Sequence, residues 1–179
     1  GRQSLADPAM PRKYAEGRAE DVMPCIACLQ GCVANMYQGK PIRCLANPRL
    51  GHECEAIPVA IAPKRIVVVG GGVAGLAAGA LCAERGHEVV LLEEAPTLGG
   101  NMRLAAFPPG KGDIADMVRS WAVRAQKAGV DIRTSVKATP EGIAALEPDE
   151  VVVATGARAL RLPIPGIDDP ALLLGGQVL

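Results

Sequence analysis

The sequence predicts an α/β protein: a doubly wound parallel sheet preceded by a small cysteine-rich module. Three observations lead there. Arg65-Ile66-Val67-Val68-Val69 is a short β-branched run without polar alternation, as expected of a strand covered on both faces. It runs into Gly70-Gly71-Gly72-Val73-Ala74-Gly75, an Ala-rich stretch and a second apolar run at Glu88–Leu92, which is the order strand, glycine turn, helix, strand. Upstream, Cys25, Cys28, Cys32 and Cys44 are spaced C-x2-C-x3-C-x11-C, a pattern for ligation rather than for a sheet.

The elements follow in chain order. Residues 1–24 are polar and carry three prolines, and Asp7-Pro8 with Pro11 predicts a short helix near 11–18. Residues 25–44 form the cysteine module, where Gly31 and Gly39 permit sharp turns and Pro41 stiffens the approach to Cys44. Pro48, Pro58 and Pro63 make residues 45–63 a linker. After the first strand, Val73–Arg85 is helical and Gly86 is its C-terminal stop. Asp113–Lys127 is a second helix: Asp113 can cap it, and Ile114, Met117, Val118, Trp121 and Ala125 recur at helical spacing. Gly129 ends it. Val130–Thr134 reads as a short alternating strand, and Val151–Ala154 as another buried strand running into Thr155-Gly156.

Strand, glycine turn and helix form a dinucleotide-binding, Rossmann-like unit in which the glycines have separate tasks. Gly70 permits the tight turn, Gly72 lets the backbone approach a pyrophosphate, and Gly75 lets the helix pack closely on the strand. The helix N-terminus then faces the phosphate charge. Glu93 ends the second strand roughly 20 residues beyond the turn, where a carboxylate accepts from ribose hydroxyls. Glu94-Ala95 follow it, so no Arg or Lys stands there for a 2′-phosphate. Gly99-Gly100 would also let backbone come close to a cofactor.

Four thiolates can enclose one metal centre, and the uneven spacing favours a [4Fe–4S] cluster. Zinc is the competing occupant, although four-cysteine zinc sites usually pair two C-x2-C knuckles and only Cys25 and Cys28 form one here. Six Cys in 179 residues fall well short of the roughly 8–10% of a disulfide scaffold. Cys82 reads as a small buried hydrophobe and Cys54 as a linker thiol. Trp121 reads as core rather than as a flavin stack. His52 and His87 have no catalytic neighbours in sequence, and Asp113, Asp116, Glu147, Asp149 and Glu150 read as caps or solvated loop charges.

Composition bounds the rest. Apolar residues make up 49% of the chain, enough for a core, and the formal net charge is zero with no Lys/Arg run, which argues against nucleic acid or a membrane surface as partner. No apolar stretch approaches the roughly 18 residues of a membrane span. Free thiols without a secretory signal point to a reducing cytoplasm. Beginning at Gly1 without Met and ending soon after Pro163, Pro165 and Pro170, the sequence reads as an internal piece of a longer polypeptide.

Together these segments resemble the NADH:flavin oxidoreductase / 2,4-dienoyl-CoA reductase family, the old-yellow-enzyme-like flavoenzymes with a cluster and a second flavin, to which trimethylamine dehydrogenase is related. Pro24–Cys32, Arg43-Cys44 and Asn47-Pro48 are similar to the family's [4Fe–4S] module. Val67–Gly75, Glu93, Leu98-Gly99-Gly100-Asn101 and Val153-Ala154-Thr155-Gly156-Ala157 are similar to its FAD domain. Gly1-Arg2 with Leu5–Pro8 is similar to the end of its TIM barrel, where Arg2 would bind the FMN phosphate. The resemblance implies a division into residues 1–24 (barrel end), 25–63 (iron–sulfur module and linker), 64–160 (incomplete FAD/NAD(P)-binding Rossmann-like domain) and 161–179 (linker towards a nicotinamide-binding domain). It implies that Gly70, Gly72, Val73, Ala74, Gly75, Glu93, Gly99, Gly100, Asn101, Thr155 and Gly156 bind cofactor, and that Cys25, Cys28, Cys32 and Cys44 ligate the cluster. No catalytic residue is assigned. Electrons from NAD(P)H would pass through FAD and the cluster to FMN for reduction of an enone or enoyl substrate, with small-molecule substrate and pyridine nucleotide held by other domains; a homo-oligomer is compatible with this. The C-x2-C-x3-C spacing resembles the reductases more than the amine dehydrogenases. An amine dehydrogenase or demethylase, a nucleotide-binding module with a structural zinc, and an electron adaptor of the glutamate-synthase kind are the alternatives.

Overall fold

In the computed structural model, which describes residues 1–160, 162–173 and 175, three short helices precede the sheet: α1 (Arg2–Ala6), α2 (Met10–Ala15) and α3 (Val33–Tyr37), with a 3-10 turn at Ala19–Asp21. Then come β1 (Arg65–Val69), α4 (Val73–Glu84), β2 (Glu88–Leu92), α5 (Asn101–Ala106), α6 (Gly112–Lys127), β3 (Asp131–Arg133), α7 (Pro140–Ala144) and β4 (Glu150–Val153). Parts of the linker expected over 161–179, namely residues 161, 174 and 176–179, lie outside the described residues.

All four strands are parallel, in the order β3-β2-β1-β4, with Val67 opposite both Val90 and Val151. Alternation along β1 divides the core. Ile66 and Val68 join Leu76, Leu91, Met117 and Trp121 beneath α4 and α6, while Val67 joins Val90 and Leu92 on the opposite face, against Ala138, Ile143 and Leu146. The larger core does not stop at the sheet. Ala6, Met23 and Ala46 belong to it, and Cys25, Ile26 and Cys44 pack on it. The cysteine module is therefore seated on the same apolar mass as α4 and α6. Polar contacts hold the seat: Ser120 Oγ donates to Val22 O at 2.9 Å, and Lys127 Nζ pairs with Asp21 at 2.6 Å. Hydrogen bonds from Lys127 and Arg18 hold the Asp21 carboxyl below its ordinary range. That contribution is present above the usual carboxylate pKa and is lost as pH falls through the depressed folded-state value.

Several sequence expectations change in detail. The helix placed near 11–18 starts at Met10 and closes at Ala15. Asp113 is not the cap of α6; Lys111 occupies that position without a side-chain bond, and Asp113 lies in the first turn, where its charge still suits the helix dipole. The strand at Val130–Thr134 narrows to Asp131–Arg133. The last strand is not buried: Val151 is 42% and Val153 is 73% exposed, because among the described residues β4 is a sheet edge and pairs with β1 alone. α5 and α7 are additional to the elements expected from the sequence; α7 has a regular helix start, with Thr139 Oγ1 accepting from Gly142 N at 3.1 Å and Pro140 at its first position.

Trp121, 1% exposed, is the largest side chain at the centre of this core. Arg124 lies 5.1 Å over its ring and is held there by two bonds to Glu84, at 2.6 and 2.8 Å. Trp121→Ala removes the ring between sheet and module and is expected to cost about 3–5 kcal/mol in denaturant unfolding. The buried indole Nε1 has no hydrogen-bond partner. Trp121→Phe, which deletes that N–H, should therefore cost clearly less, under about 1.5 kcal/mol.

Candidate nucleotide and cysteine sites

The strand order reverses at β1, with β2 on one side and β4 on the other, so a crevice opens outside the carboxyl ends of β1 and β4. A cavity of about 300 Å³ lies there. Its walls are the β1–α4 turn (Gly70, Gly72, Val73, Ala74), Glu93 after β2, the loop and first turn of α5 (Gly99–Met102), and Ala154–Ala157 after β4. Three strand ends thus supply one site. The walls are tied together: Gly99 N donates to Gly71 O at 2.8 Å, and Asn101 Nδ2 donates to Ala157 O at 2.8 Å across the mouth.

The glycines differ in what they answer to. Gly70 has φ +109°, and a Cβ there would meet Ala154 O at 2.4 Å, so the turn and the β4 loop both require it. A Cβ on Gly75 would meet Gly70 O at 1.9 Å; this residue is needed for the helix to sit on its strand and does not line the cavity. Gly72 is different. Its φ of −71° suits any residue, and a Cβ there would meet nothing within 4 Å. Nothing within the protein demands glycine at 72; the open space beside it belongs to the cavity.

Glu93 is anchored rather than free. Its Oε2 accepts from Gly71 N at 2.6 Å and its Oε1 from Ala95 N at 2.7 Å. The carboxylate is thereby fixed beside the glycine turn, facing both the main cavity and a smaller one of about 170 Å³ bounded by Leu92, Val136, Lys137 and Thr155. An acceptor held this way is suited to vicinal hydroxyls. Met102, Ala154 and Ala157 line the main cavity without having been singled out as site residues. Ala154 and Ala157 flank Thr155-Gly156 and were within reach of sequence reasoning; Met102 depended on α5, which was not foreseen.

Cys25, Cys28, Cys32 and Cys44 line a second, enclosed hollow, shelved by Leu5, Ile26, Leu29, Leu45 and Ala46. All four are free thiols. The loop folds tightly: Ala27 and Leu29, on either side of Cys28, take φ of +50° and +60°, uncommon for residues with a Cβ. Its two arms meet where Arg43 N donates to Gly31 O at 2.7 Å, and a Cβ on Gly31 would lie 2.6 Å from Arg43 O. Among the described residues no three His, Cys, Asp or Glu side chains gather as a site for one metal ion. The donor set nevertheless suits a polynuclear centre: four thiols around one apolar hollow, in a loop wound by two left-handed residues. Arg2 borders this hollow, not the nucleotide cavity, as does Arg43.

The remaining thiols and imidazoles lie apart. Cys54 is exposed, and burial pushes the Cys82 thiol up, away from reactivity. His52 Nδ1 is 2.7 Å from Glu55, and His87 Nδ1 accepts from Lys64 N at 3.1 Å. No helix among the described residues is long and apolar enough to cross a membrane.

Comparison with known proteins agrees with this geometry. The profile of an NAD(P)-binding Rossmann-like domain matches residues 68–133. The NADH oxidase of Thermoanaerobacter brockii is 41% identical over 172 residues, covering 94% of this chain and 26% of the relative. Among solved structures, a complex of 2-naphthoyl-CoA reductase with 2-naphthoyl-CoA superposes with a TM-score of 0.89 at 37% identity, over 94% of this chain and 26% of that one. Histamine dehydrogenase from Rhizobium sp. 4-9 superposes with a TM-score of 0.82 at 30% identity, over 90% of this chain and 24% of that one. This chain therefore spans about a quarter of the length of the proteins it matches, and over that segment it is similar both to an NADH oxidase and a reductase and to an amine dehydrogenase.

Proposed function

We propose that this chain is the electron-transfer segment of an NAD(P)H-dependent flavin oxidoreductase. FAD lies on the glycine turn, a [4Fe–4S] cluster is held by Cys25, Cys28, Cys32 and Cys44, and the direction of transfer is from NAD(P)H towards an FMN that reduces an enone or enoyl substrate. The division into barrel end (1–24), iron–sulfur module and linker (25–63), FAD domain (64–160) and linker (161–179) is part of the same reading. The observation that carries it is the pairing, in one chain and on one core, of a nucleotide cavity walled by Gly70, Gly72, Val73, Ala74 and Glu93 with a hollow lined by four thiols.

When bound, the flavin supplies hydride acceptance with single-electron release, and the cluster supplies one-electron relay. The chain's residues hold these groups. The backbone at Gly72 leaves room for a pyrophosphate, the N-terminus of α4 faces its charge, and the fixed Glu93 carboxylate accepts from ribose. A single zinc ion needs four sulfurs at about 2.3 Å from one point. The C-x2-C-x3-C-x11-C spacing supplies only one of the two C-x2-C knuckles usual for four-cysteine zinc, which favours the cluster.

Elemental analysis and visible absorbance of anaerobically prepared protein test this reading. Iron, sulfide and a resolved flavin band are expected; zinc without iron or sulfide overturns the cluster assignment. The amine dehydrogenases are the second reading, favoured by the likeness to histamine dehydrogenase. Substrate-dependent flavin reduction in the absence of pyridine nucleotide would select it, whereas flavin reduction by NADH or NADPH supports the reductase. Glu93→Ala removes a charged acceptor held by two backbone donors. It should weaken FAD binding about tenfold to a hundredfold in a flavin-fluorescence titration.

A further inference from the structure

The chain entering the cysteine module has no strand or helix to satisfy its backbone. Met23-Pro24-Cys25 has no regular secondary structure and is buried to half-buried, and Pro24 contributes no N–H. Its polar groups are paired instead by α1 and the residue that ends it. Gln3 Nε2 donates to Met23 O at 2.9 Å, and Gln3 Oε1 accepts from Cys25 N at 2.8 Å, so one amide serves two backbone groups as a neighbouring strand would. One turn further, Asp7 Oδ2 accepts from Met23 N at 2.9 Å. Asp7 is only 4% exposed and is itself fixed by Lys13 Nζ at 2.6 Å and Ala9 N at 3.1 Å.

The far end of the module returns to the same helix. Asn47, three residues beyond Cys44, donates from Nδ2 to Leu5 O at 3.0 Å, while its Oδ1 accepts from Arg49 N. α1 therefore grips the chain just before the first cysteine and just after the last. Cys28 and Cys32 lie on the loop between, which has no comparable tie to α1 among the bonds described.

We propose that α1 is a clasp for the thiol centre, with Gln3 and Asp7 the positioning residues for Cys25 and Asn47 the one for Cys44. This rests on the reading that the four cysteines hold a cluster. None of the three side chains supplies a ligand atom; each sets where a ligand's backbone starts or ends. A thiolate whose backbone is held fixed stays bound when another Fe–S bond opens, so the clasp governs how readily iron is lost.

The test uses the cluster-loaded protein and the rate of iron release to a chelator under anaerobic conditions, with the EPR spectrum of the reduced cluster as a second signature. Gln3→Leu keeps the shape of the side chain and removes both bonds. It should release iron about tenfold faster or more, as losses around a metal site typically do, with an altered EPR line shape. Gln3→Glu keeps the acceptor for Cys25 N and loses the donor to Met23 O, so its rate should fall between. Asp7→Asn keeps the acceptor for Met23 N and should stay near the parent, whereas Asn47→Ala should behave like Gln3→Leu. FAD content reports that the sheet is intact in each variant. If Gln3→Leu does not fold, Gln3→Glu and Asn47→Ala decide the matter alone. Parent-like release rates and spectra in the folded variants overturn the clasp and leave the cluster standing. A parent protein without iron and sulfide overturns the cluster and the clasp with it.

Discussion

Gly72→Val is expected to abolish tight flavin binding and to leave the fold and the thiol centre as they were. The expectation follows from where the new side chain would go. Gly72 has ordinary backbone angles, and a Cβ meets no atom of the protein within 4 Å, so the unliganded chain accepts valine without strain. The methyl groups would instead occupy the side of the cavity where Gly72 stands as the N-cap residue of α4. Forcing a pyrophosphate against them should cost about 3 kcal/mol, on the order of a hundredfold in Kd. Gly75→Ala makes the informative contrast. Its Cβ would stand 1.9 Å from Gly70 O, so that variant should lose thermal stability first and flavin as a consequence. Flavin titration together with thermal unfolding separates the two. A Gly72→Val protein that binds FAD at parental affinity would place the nucleotide elsewhere.

The contrast also shows which parts of the site a sequence can reveal. β1, β2 and the glycine turn were legible because buried parallel strands are written as unbroken β-branched runs, and a turn that approaches phosphate is written as glycine. Glu93 was legible from its register at the end of β2, but its two backbone donors were not, since they come from Gly71 and Ala95 through a turn whose geometry only the fold sets. α5 was missed because it starts on Gly100, with φ +52°, rather than on a side-chain cap. The exposure of β4 was missed for a different reason. Val151-Val152-Val153 reads as buried whether or not anything covers it, and here it is the sheet edge. The seating of the cysteine module escaped for a third reason. Residues 24–48 show no sustained helical or alternating apolar period, yet Met23 and Ala46, at 8% and 2% exposure, anchor both ends in the sheet's own core. Isolated small apolar residues carry no periodicity, so a docked loop looks like a free one.

That seating determines the outcome of Cys28→Ser. Cys28 lies between the two left-handed residues at the tip of the loop, away from both anchored ends. Loss of its thiolate should therefore empty the centre without detaching the module. Iron should drop from about four per chain to a small fraction of that, while the unfolding midpoint of the sheet moves little, because Met23, Ala46 and the Ser120–Val22 bond remain in place. The functional effect is then a clean separation in the full-length protein. A hydride donor delivers two electrons together, and a flavin is needed to pass them on singly. Pyridine nucleotide should still reduce FAD in the variant at the parental rate, since every residue of the nucleotide cavity is unchanged. FMN reduction and substrate turnover should fall together, and by the same factor. Stopped-flow spectra followed at two wavelengths resolve the two flavin phases. FMN reduced at the parental rate in a protein shown to lack iron would remove the four thiols from the electron path and leave them a purely structural role.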